Sequence, residues 1–288
     1  MSAPPDGPLT LVLTRRCDLH CGYCPQDFSE RDMSEEVLDA ALSRFAPRLA
    51  PGMPVKLFGG EPLLVPALVR RAVLRLASAQ PGRPVELPTN GANLDADMAE
   101  FLGGHPQVQV ALSRPSPSAR GLPNLVVNFL LPPGEPAPAA ARRLAAWIAF
   151  GARRFNILPA YYIPWTGPQL RELARSLRGV ADLLARTGGL GGGAAAVNLG
   201  RRGPVPLYNG GLAVDSGGDV YAGNLFLAAA VAPFREKLRL GRIGGSGALR
   251  EPRSPEALAE IAAAAFSPEA LRSTMAVDRL LAEFVRRS

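Results

Sequence analysis

The three cysteines of this 288-residue chain are the residues whose type and spacing most clearly suggest chemistry. Cys17, Cys21 and Cys24 form a C-x3-C-x2-C pattern in one short loop. Thiolates are the usual ligands of iron–sulfur clusters, and a cubane cluster has four irons, so three thiolates leave one iron without a protein ligand. A metal site with an open position can bind a reactive molecule, as catalytic zinc sites bind water. The pattern therefore predicts a catalytic [4Fe–4S] cluster held by these three metal ligands.

Two other uses of the same thiols stay open at this stage. A structural zinc site could take His20 or His105 as its fourth ligand, because Cys3His sites exist. Structural zinc sites usually take two pairs of ligands from two separate loops. Here all three cysteines lie in one short loop directly after an apolar run. A disulfide framework is disfavoured, because the cysteine count is odd and the residues before the loop show no signal-peptide pattern.

A second candidate binding motif follows an apolar run at residues 55–58, which predicts a strand. It is the tetrapeptide Gly59-Gly60-Glu61-Pro62. Two glycines at the end of a strand let the backbone approach a ligand closely, and the carboxylate and turn carbonyls can accept hydrogen bonds from an ammonium group. The same residues could instead simply join a strand to a helix, with Pro62 at the first helical position.

Further polar residues accompany the next three apolar runs, at residues 85–87, 108–112 and 125–131. A polar side chain within a buried strand needs a partner, which for Asn128 is a ligand or a neighbouring backbone group. Arg120, one of two arginines between the last two runs, could simply be a solvated loop charge. The polar residues concerned are Thr89, Asn90, Ser113, Arg120 and Asn128.

Taken together, these motifs resemble those of the radical S-adenosylmethionine (radical SAM) enzymes. The matching features are the cysteine loop with Tyr23 before its third cysteine, the G-G-E-P turn, and the T-N-G turn at residues 89–91. The resemblance implies that S-adenosylmethionine (SAM) chelates the open iron, and that an electron from the cluster splits it into methionine and a 5′-deoxyadenosyl radical. That radical takes a hydrogen atom from the substrate.

The resemblance also implies roles in SAM binding. Gly59, Gly60, Glu61 and Pro62 would hold the amino group of SAM, and Arg120 would bind its carboxylate. The further cofactor-binding residues would be Tyr23, Thr89, Asn90, Ser113 and Asn128. In the peptide-modifying branch of these enzymes the fourth strand usually ends in S-L-D-G, with polar groups near the ribose or carboxylate. Here the sequence is Ser113-Arg114-Pro115-Ser116, so Ser113 could stand for either the serine or the aspartate.

Short apolar runs alternate with amphipathic segments along the first part of the chain, which is typical of a parallel α/β sheet. Strands are expected at residues 9–13, 55–58, 85–87, 108–112, 125–131 and 155–159, and helices at 33–45, 63–79, 95–102, 137–151 and 168–187. The segment between the fourth and fifth strands is too short for a crossover helix. The expected architecture is an incomplete (β/α)6 TIM-like barrel, with its reactive groups at the carboxyl ends of the strands.

The rest of the chain predicts a small α+β extension. A partial barrel at residues 1–187, a glycine-rich linker at 188–204 and an extension at 205–288 are expected. Residues 208–221 read as a hairpin, and the segment Leu240-Gly241-Arg242-Ile243 and a closing helix follow it. This resembles the SPASM and twitch domains of radical SAM maturases, whose cysteines bind auxiliary clusters, but here the corresponding stretches hold no cysteine. A degenerate extension is expected, and the aromatic segment at 161–165 is a candidate substrate contact or a packed cap.

Composition favours some partners over others. The net charge of +7 is carried almost wholly by arginine, but no segment alternates basic and aromatic residues, so a nucleic-acid partner is disfavoured. No apolar run is long enough to span a membrane, and a cytoplasmic location is expected. A peptide substrate and an external electron donor such as flavodoxin or ferredoxin are expected. A small-molecule radical SAM enzyme of cofactor or natural-product biosynthesis and a non-catalytic binding protein are the alternatives.

Overall fold

The computed structural model describes residues 7–188, 193–197, 211–245 and 248–287. Ten strands and eight helices lie in these ranges. The strands are β1 (Leu9–Thr14), β2 (Val55–Gly59), β3 (Val85–Thr89), β4 (Val108–Leu112), β5 (Leu125–Leu131), β6 (Arg154–Pro159), β7 (Ala195–Ala196), β8 (Leu212–Val214), β9 (Asp219–Ala222) and β10 (Arg239–Arg242). The helices are α1 (Glu35–Phe45), α2 (Pro66–Ala79), α3 (Ala96–Gly103), α4 (Ala137–Phe150), α5 (Gly167–Gly188), α6 (Arg235–Leu238), α7 (Pro255–Ala265) and α8 (Pro268–Arg287).

All ten strands belong to one open sheet, in the order β10-β9-β8-β1-β2-β3-β4-β5-β6-β7. The run from β1 to β7 is parallel, so its carboxyl ends meet at one edge. The sheet does not close on itself, which confirms the expected α/β partial barrel. The short β7 adds a seventh parallel strand that the sequence pattern did not predict.

The strand and helix patterns follow from burial. Every residue of β1 is buried, as expected of a strand covered on both faces. Helices α1 and α2 turn apolar stripes toward the sheet, and Leu38, Val69 and Val73 are fully buried there. Side-chain caps start several helices: Ser34 accepts from the backbone of Val37, and Asp95 accepts from Met98.

The connection between β4 and β5 contains only a single turn of 3-10 helix, Pro117–Ala119, as the short predicted segment required. At the β1 edge of the parallel run, β8 pairs with β1 in parallel. Strand β9 then pairs antiparallel with both β8 and β10. The hairpin expected near residue 221 is therefore present and extends the barrel sheet itself.

Two helices, α7 and α8, follow β10, where one closing helix was expected. Most of the predicted linker, and residues 208–210 of the predicted hairpin, lie outside the described residues, so the domain boundaries stay a prediction. In the described part of the chain, no helix combines the length and apolar character that a membrane span requires.

Candidate active site

A cavity of about 300 Å³ lies where the carboxyl ends of β1 to β6 meet. Eleven of the candidate residues line it: Cys17, Cys21, Tyr23, Cys24, Gly59, Gly60, Glu61, Thr89, Asn90, Ser113 and Asn128. Apolar side chains complete the wall, among them Phe58, Leu130 and Leu158. The fold therefore gathers into one space residues that are separated by more than 100 positions in the sequence.

The two glycines of the G-G-E-P turn allow β2 to pack against the start of the cysteine loop. A Cβ atom on Gly59 would lie 2.4 Å from the carbonyl oxygen of Thr14, and one on Gly60 would lie 2.1 Å from that of Arg16. The backbone N–H groups of Gly60 and Glu61 donate to these same two carbonyls, at 3.0 and 2.8 Å. The close approach that glycine permits is thus to the backbone before Cys17, a contact between the two motifs.

Glu61 joins the ends of β2 and β3. Its carboxylate is almost fully buried; Oε1 accepts from the backbone N–H of Leu63 (2.9 Å) and the hydroxyl of Thr89 (2.7 Å), and Oε2 accepts from the backbone N–H of Asn90 (2.7 Å). Burial raises the pKa of Glu61, and these three hydrogen bonds oppose that shift. Since a carboxylate has about four acceptor positions, the carboxylate keeps room for one further donor from the cavity.

Asp18, which the sequence analysis did not single out, connects the cysteine loop to the T-N-G turn. Its Oδ1 accepts from Nδ2 of Asn90 and its Oδ2 from Nδ2 of Asn93, both at 2.7 Å. Gly91 completes this turn with φ +82°, and a Cβ atom there would lie 2.5 Å from Leu112. The signal in the sequence was the pair of asparagines around one glycine, which is typical of a turn rich in side-chain hydrogen bonds.

The three thiols are free and half-buried. Burial raises the pKa of Cys17 and of Cys24, so these thiols are harder to ionise without a cation nearby. Burial, followed by a hydrogen bond with Cys21, raises the pKa of Tyr23 to about 12. A bound metal would instead lower the pKa of these thiols, because a thiol that coordinates a metal is deprotonated.

The other candidate residues lie around this centre. Pro62 is buried at the start of a 3-10 turn, Pro62–Leu64, and does not line the cavity. Ser113 donates from its backbone to the carbonyl of Thr89 at 3.0 Å. Asn128 finds its partners within the protein: the carbonyl of Ala111 (3.4 Å) and the side-chain amide of Asn156 (2.9 Å).

The arginine that reaches the cavity is Arg114, and Arg120 lies elsewhere. Arg120 is exposed, with its guanidinium 5.2 Å from the centre of the Phe150 ring, and it is absent from the cavity wall. Arg114 directly follows Ser113 and lines the cavity, where its positive charge acts on Tyr23. Sequence reasoning missed it because no local pattern distinguishes Arg114 from the other loop arginine, Arg120.

The aromatic segment after β6 divides into two parts. Tyr161 lines the cavity, whereas Trp165 is buried and donates from its indole to the carbonyl of Ala160. Tyr162 has a left-handed backbone (φ +61°), its N–H donates to Thr274 of α8, and its ring stacks on Phe266 at 4.2 Å. The backbone N–H of Trp165 also donates to Ser273 of α8 at 2.9 Å, so Tyr162 and Trp165 both contact the C-terminal helices.

The donor set fits an iron–sulfur cluster. Among the described residues, no group of three His, Cys, Asp or Glu side chains converges closely enough to hold a single metal ion. A cubane does not require such convergence, because its thiolates bind different irons. The zinc alternative gains no support here: His20 is exposed, and Nδ1 of His105 contacts the carbonyl of Phe101 instead.

The match to known proteins agrees with this geometry. Residues 11–145 match the family model described as the Radical SAM superfamily. This region, just under half of the chain, is therefore similar to a radical SAM domain. A curated relative, GTP 3′,8-cyclase from Mycobacterium ulcerans (strain Agy99), is 35% identical over 127 residues, covering 38% of this chain and 35% of that protein. The match thus spans about a third of that relative's length. The domain implies a [4Fe–4S] cluster and SAM as cofactors.

Solved structures resemble the fold beyond this domain. The structure "Native anSMEcpe with bound AdoMet and Kp18Cys peptide" matches with a TM-score of 0.61 at 16% identity, over 82% of this chain and 78% of that chain. SuiB of Streptococcus suis bound to S-adenosylmethionine matches with a TM-score of 0.62 at 14% identity, over 83% and 64% of the two chains. At these identities the likeness concerns the fold.

Proposed function

We propose that this chain is a radical SAM enzyme that modifies a ribosomally made peptide. The observation that carries the proposal is the meeting of three free thiols, Glu61 and the T-N-G turn at one cavity on the carboxyl edge of a partial barrel. When bound, the cluster and SAM supply a 5′-deoxyadenosyl radical able to abstract a hydrogen atom. The protein's part is to bind, orient and shield these groups.

Each residue contributes a distinct interaction. Cys17, Cys21 and Cys24 would hold the cluster and leave one iron open for SAM. The remaining acceptor position of Glu61 would bind the ammonium group of SAM, held in place by the donors of Thr89 and Asn90. Arg114 takes the role proposed for Arg120, since its guanidinium suits a carboxylate and it lines the cavity.

The wall of the cavity would restrict water around the reacting carbon. Phe58, Leu130 and Leu158 are apolar, and Tyr161 is 4% exposed. A peptide substrate is supported by the likeness in fold to anSMEcpe, whose structure includes a Kp18Cys peptide, and to SuiB, whose structure includes the precursor peptide SuiA. A small-molecule substrate is the second candidate, and the sequence identity to GTP 3′,8-cyclase favours it.

The number of cysteines indicates where the electrons for the reaction would come from. Cys17, Cys21 and Cys24 are the only cysteines, so no thiolates remain for an auxiliary cluster. The first electron would come from an external donor such as flavodoxin or ferredoxin. Without an auxiliary cluster to accept a second electron, redox-neutral reactions such as epimerisation are favoured over oxidative ones. A cytoplasmic location is part of the proposal, because an open cluster suits a reducing compartment.

The test is anaerobic reconstitution of the full chain. About four irons per chain are expected, as one cubane requires, together with release of 5′-deoxyadenosine and methionine on addition of dithionite and SAM. Alanine at all three cysteines should abolish both. Stoichiometric zinc without iron in anaerobically purified protein would contradict the proposal.

The substrate class is tested separately. Peptides encoded beside the gene and GTP should each be incubated with the reconstituted protein, and the products followed by mass spectrometry. A mass change in a peptide supports the first candidate, and consumption of GTP supports the second.

A further inference from the structure

The C-terminal part of the chain binds the residue that leads into the cysteine loop. Arg15 lies two residues before Cys17, and Asp215 lies 200 positions later in the turn between β8 and β9. Nε and Nη2 of Arg15 donate to Oδ1 and Oδ2 of Asp215, at 2.9 and 3.2 Å. Arg15 is 5% exposed and Asp215 8% exposed, so both charges are largely shielded from solvent.

The pair is well enclosed. Nη1 of Arg15 donates to the carbonyl of Asp27 at 3.1 Å, and Asp215 also accepts from the backbone of Ser216 at 2.9 Å. The guanidinium lies 5.2 Å from the centre of the Phe226 ring, which stacks on Tyr221. Buried pairs of this kind are costly to break, because removing one partner leaves an uncompensated charge.

A second contact holds the segment that leaves the cysteine loop. Pro25 follows Cys24 directly, and its carbonyl accepts from the backbone of Ala229 at 2.7 Å. The backbone of Asp27 donates to the carbonyl of Leu227 at 2.8 Å. Nη2 of Arg235 donates to Oδ2 of Asp27 at 2.6 Å. Residues 25–27 and 227–229 thus form a short antiparallel bridge.

We propose that residues 215–235, the C-terminal clamp, position the cysteine loop, with Arg15 and Asp215 as positioning residues for the cluster. The chain is held two residues before Cys17 and directly after Cys24 by groups some 200 positions away, so the clamp defines the end points of the loop that carries all three thiols. The inference rests on the proposed function for its cluster readouts, but the clamp itself can be tested in the cluster-free protein. It gives the cysteine-free extension a role other than binding auxiliary clusters.

The main test is Asp215→Asn in the full chain. The variant leaves Arg15 uncompensated near the cluster, so the midpoint potential should rise, and the electron paramagnetic resonance spectrum of the reduced cluster with SAM should change. Iron release to a chelator should become about tenfold faster, because one charged partner of a buried pair is lost. Asp215→Glu keeps the charge and should restore part of each effect.

Two variants control for nonspecific effects. Ser216→Ala alters the adjacent buried residue, whose hydroxyl has no hydrogen-bond partner among the described groups. Asp39→Asn removes a carboxylate that pairs with Arg71 on the outer helices α1 and α2. Both should match the wild type in potential, spectrum and iron release.

A second variant tests the clamp if Asp215→Asn does not fold. Ala229→Pro removes the N–H that donates to Pro25 and puts the proline Cδ in its place, against the same carbonyl. Ala229 is exposed at the start of a 3-10 helix, and Ala228 before it has φ −69° and ψ 133°, which proline tolerates. Ala229→Gly keeps the N–H and is the matched control. In the cluster-free protein, amide hydrogen exchange in residues 17–24 should be several-fold faster for Ala229→Pro than for Ala229→Gly, since one hydrogen bond is lost.

The possible outcomes distinguish the clamp from the proposed radical SAM function. Faster exchange in residues 17–24 of the cluster-free variants supports the clamp even if the wild type loads no iron, a result that would remove the proposed function alone. Exchange, potential and iron release equal to those of the controls would overturn the clamp while leaving the radical SAM assignment intact.

Discussion

Oε2 of Glu61 accepts a hydrogen bond from the backbone N–H of Asn90, 2.7 Å away, and so ties the end of β2 to the end of β3. Asn90 in turn donates from Nδ2 to Asp18 in the cysteine loop at 2.7 Å. The three motifs that could be read in the sequence are therefore connected by direct hydrogen bonds. A substitution in one motif should therefore alter the hydrogen bonding and position of the other two.

Replacing Glu61 by glutamine should reduce stability as well as SAM binding. Glutamine has one acceptor oxygen, and its NH2 group would face at least one of the donors from Leu63, Thr89 and Asn90. We expect a loss of about 1–3 kcal/mol in the free energy of unfolding, measured by urea denaturation of the cluster-free protein. Glu100→Gln, on the exposed face of α3, is the control. Equal stability of both variants would show that the carboxylate is not a structural link.

Alanine at Gly60 should prevent assembly of the site, whereas alanine at Gly22 should not. The new Cβ at position 60 would meet the Arg16 carbonyl at 2.1 Å, so the backbone before Cys17 must move. A Cβ at Gly22, in the same cysteine loop, has no atom within 4 Å, and its φ is not positive. Iron content after reconstitution should fall strongly for Gly60→Ala and stay near the wild-type value for Gly22→Ala. The reverse order would contradict the packing described above.

Neutralising Arg114 should weaken SAM binding, and neutralising Arg120 should not. Both are loop arginines, but Arg114 lines the cavity and Arg120 lies on Phe150. A charge-assisted hydrogen bond contributes about 1.5–3 kcal/mol, so Arg114→Gln should raise the Kd for SAM by about tenfold or more. Calorimetric titration of SAM into reconstituted protein measures the difference. Equal affinities for the Arg114→Gln and Arg120→Gln variants would remove Arg114 from the site.

Asp32 should contribute to acid sensitivity. Burial works to raise its pKa, but hydrogen bonds from Arg16 and Thr14 outweigh burial and hold the pKa below its ordinary value. A depressed carboxyl pKa adds stability above the unfolded value, about 3.9, and that stability is lost as the pH falls through the folded value. The difference in unfolding free energy between the wild type and Asp32→Asn should therefore shrink below about pH 4. A constant difference from pH 7 to pH 2 would show that the pair does not couple to protonation.

Much of the architecture was readable from the sequence. Continuous apolar runs such as β1 predict strands covered on both faces, and the 3.6-residue spacing in α1 predicts a helix with one buried stripe. These are local properties, because they depend on the burial of neighbouring residues along one element. The cysteine spacing is local as well, since all three thiols share one loop.

Some site residues could not be found in this way. Arg114 and Arg120 are indistinguishable as loop arginines, and only the path of the chain after β4 decides that the first reaches the cavity. Asp18 likewise shows its role only through Asn90 and Asn93, which lie on another strand connection. The partners of Asn128 were left open by the sequence, and the packing of β5 between β4 and β6 supplies them.

The sequence by itself thus determined the first six parallel strands, the helices between them and the grouping of the three thiols in one loop. Tertiary structure alone decided that the glycines of the G-G-E-P turn serve a backbone-to-backbone contact, because that contact lies between chain segments about 45 positions apart. It also decided that Asp215 pairs with Arg15, across 200 positions. Such long-range pairings depend on how the sheet adds β8 beside β1, and no local pattern of hydrophobicity or charge records that choice of neighbour.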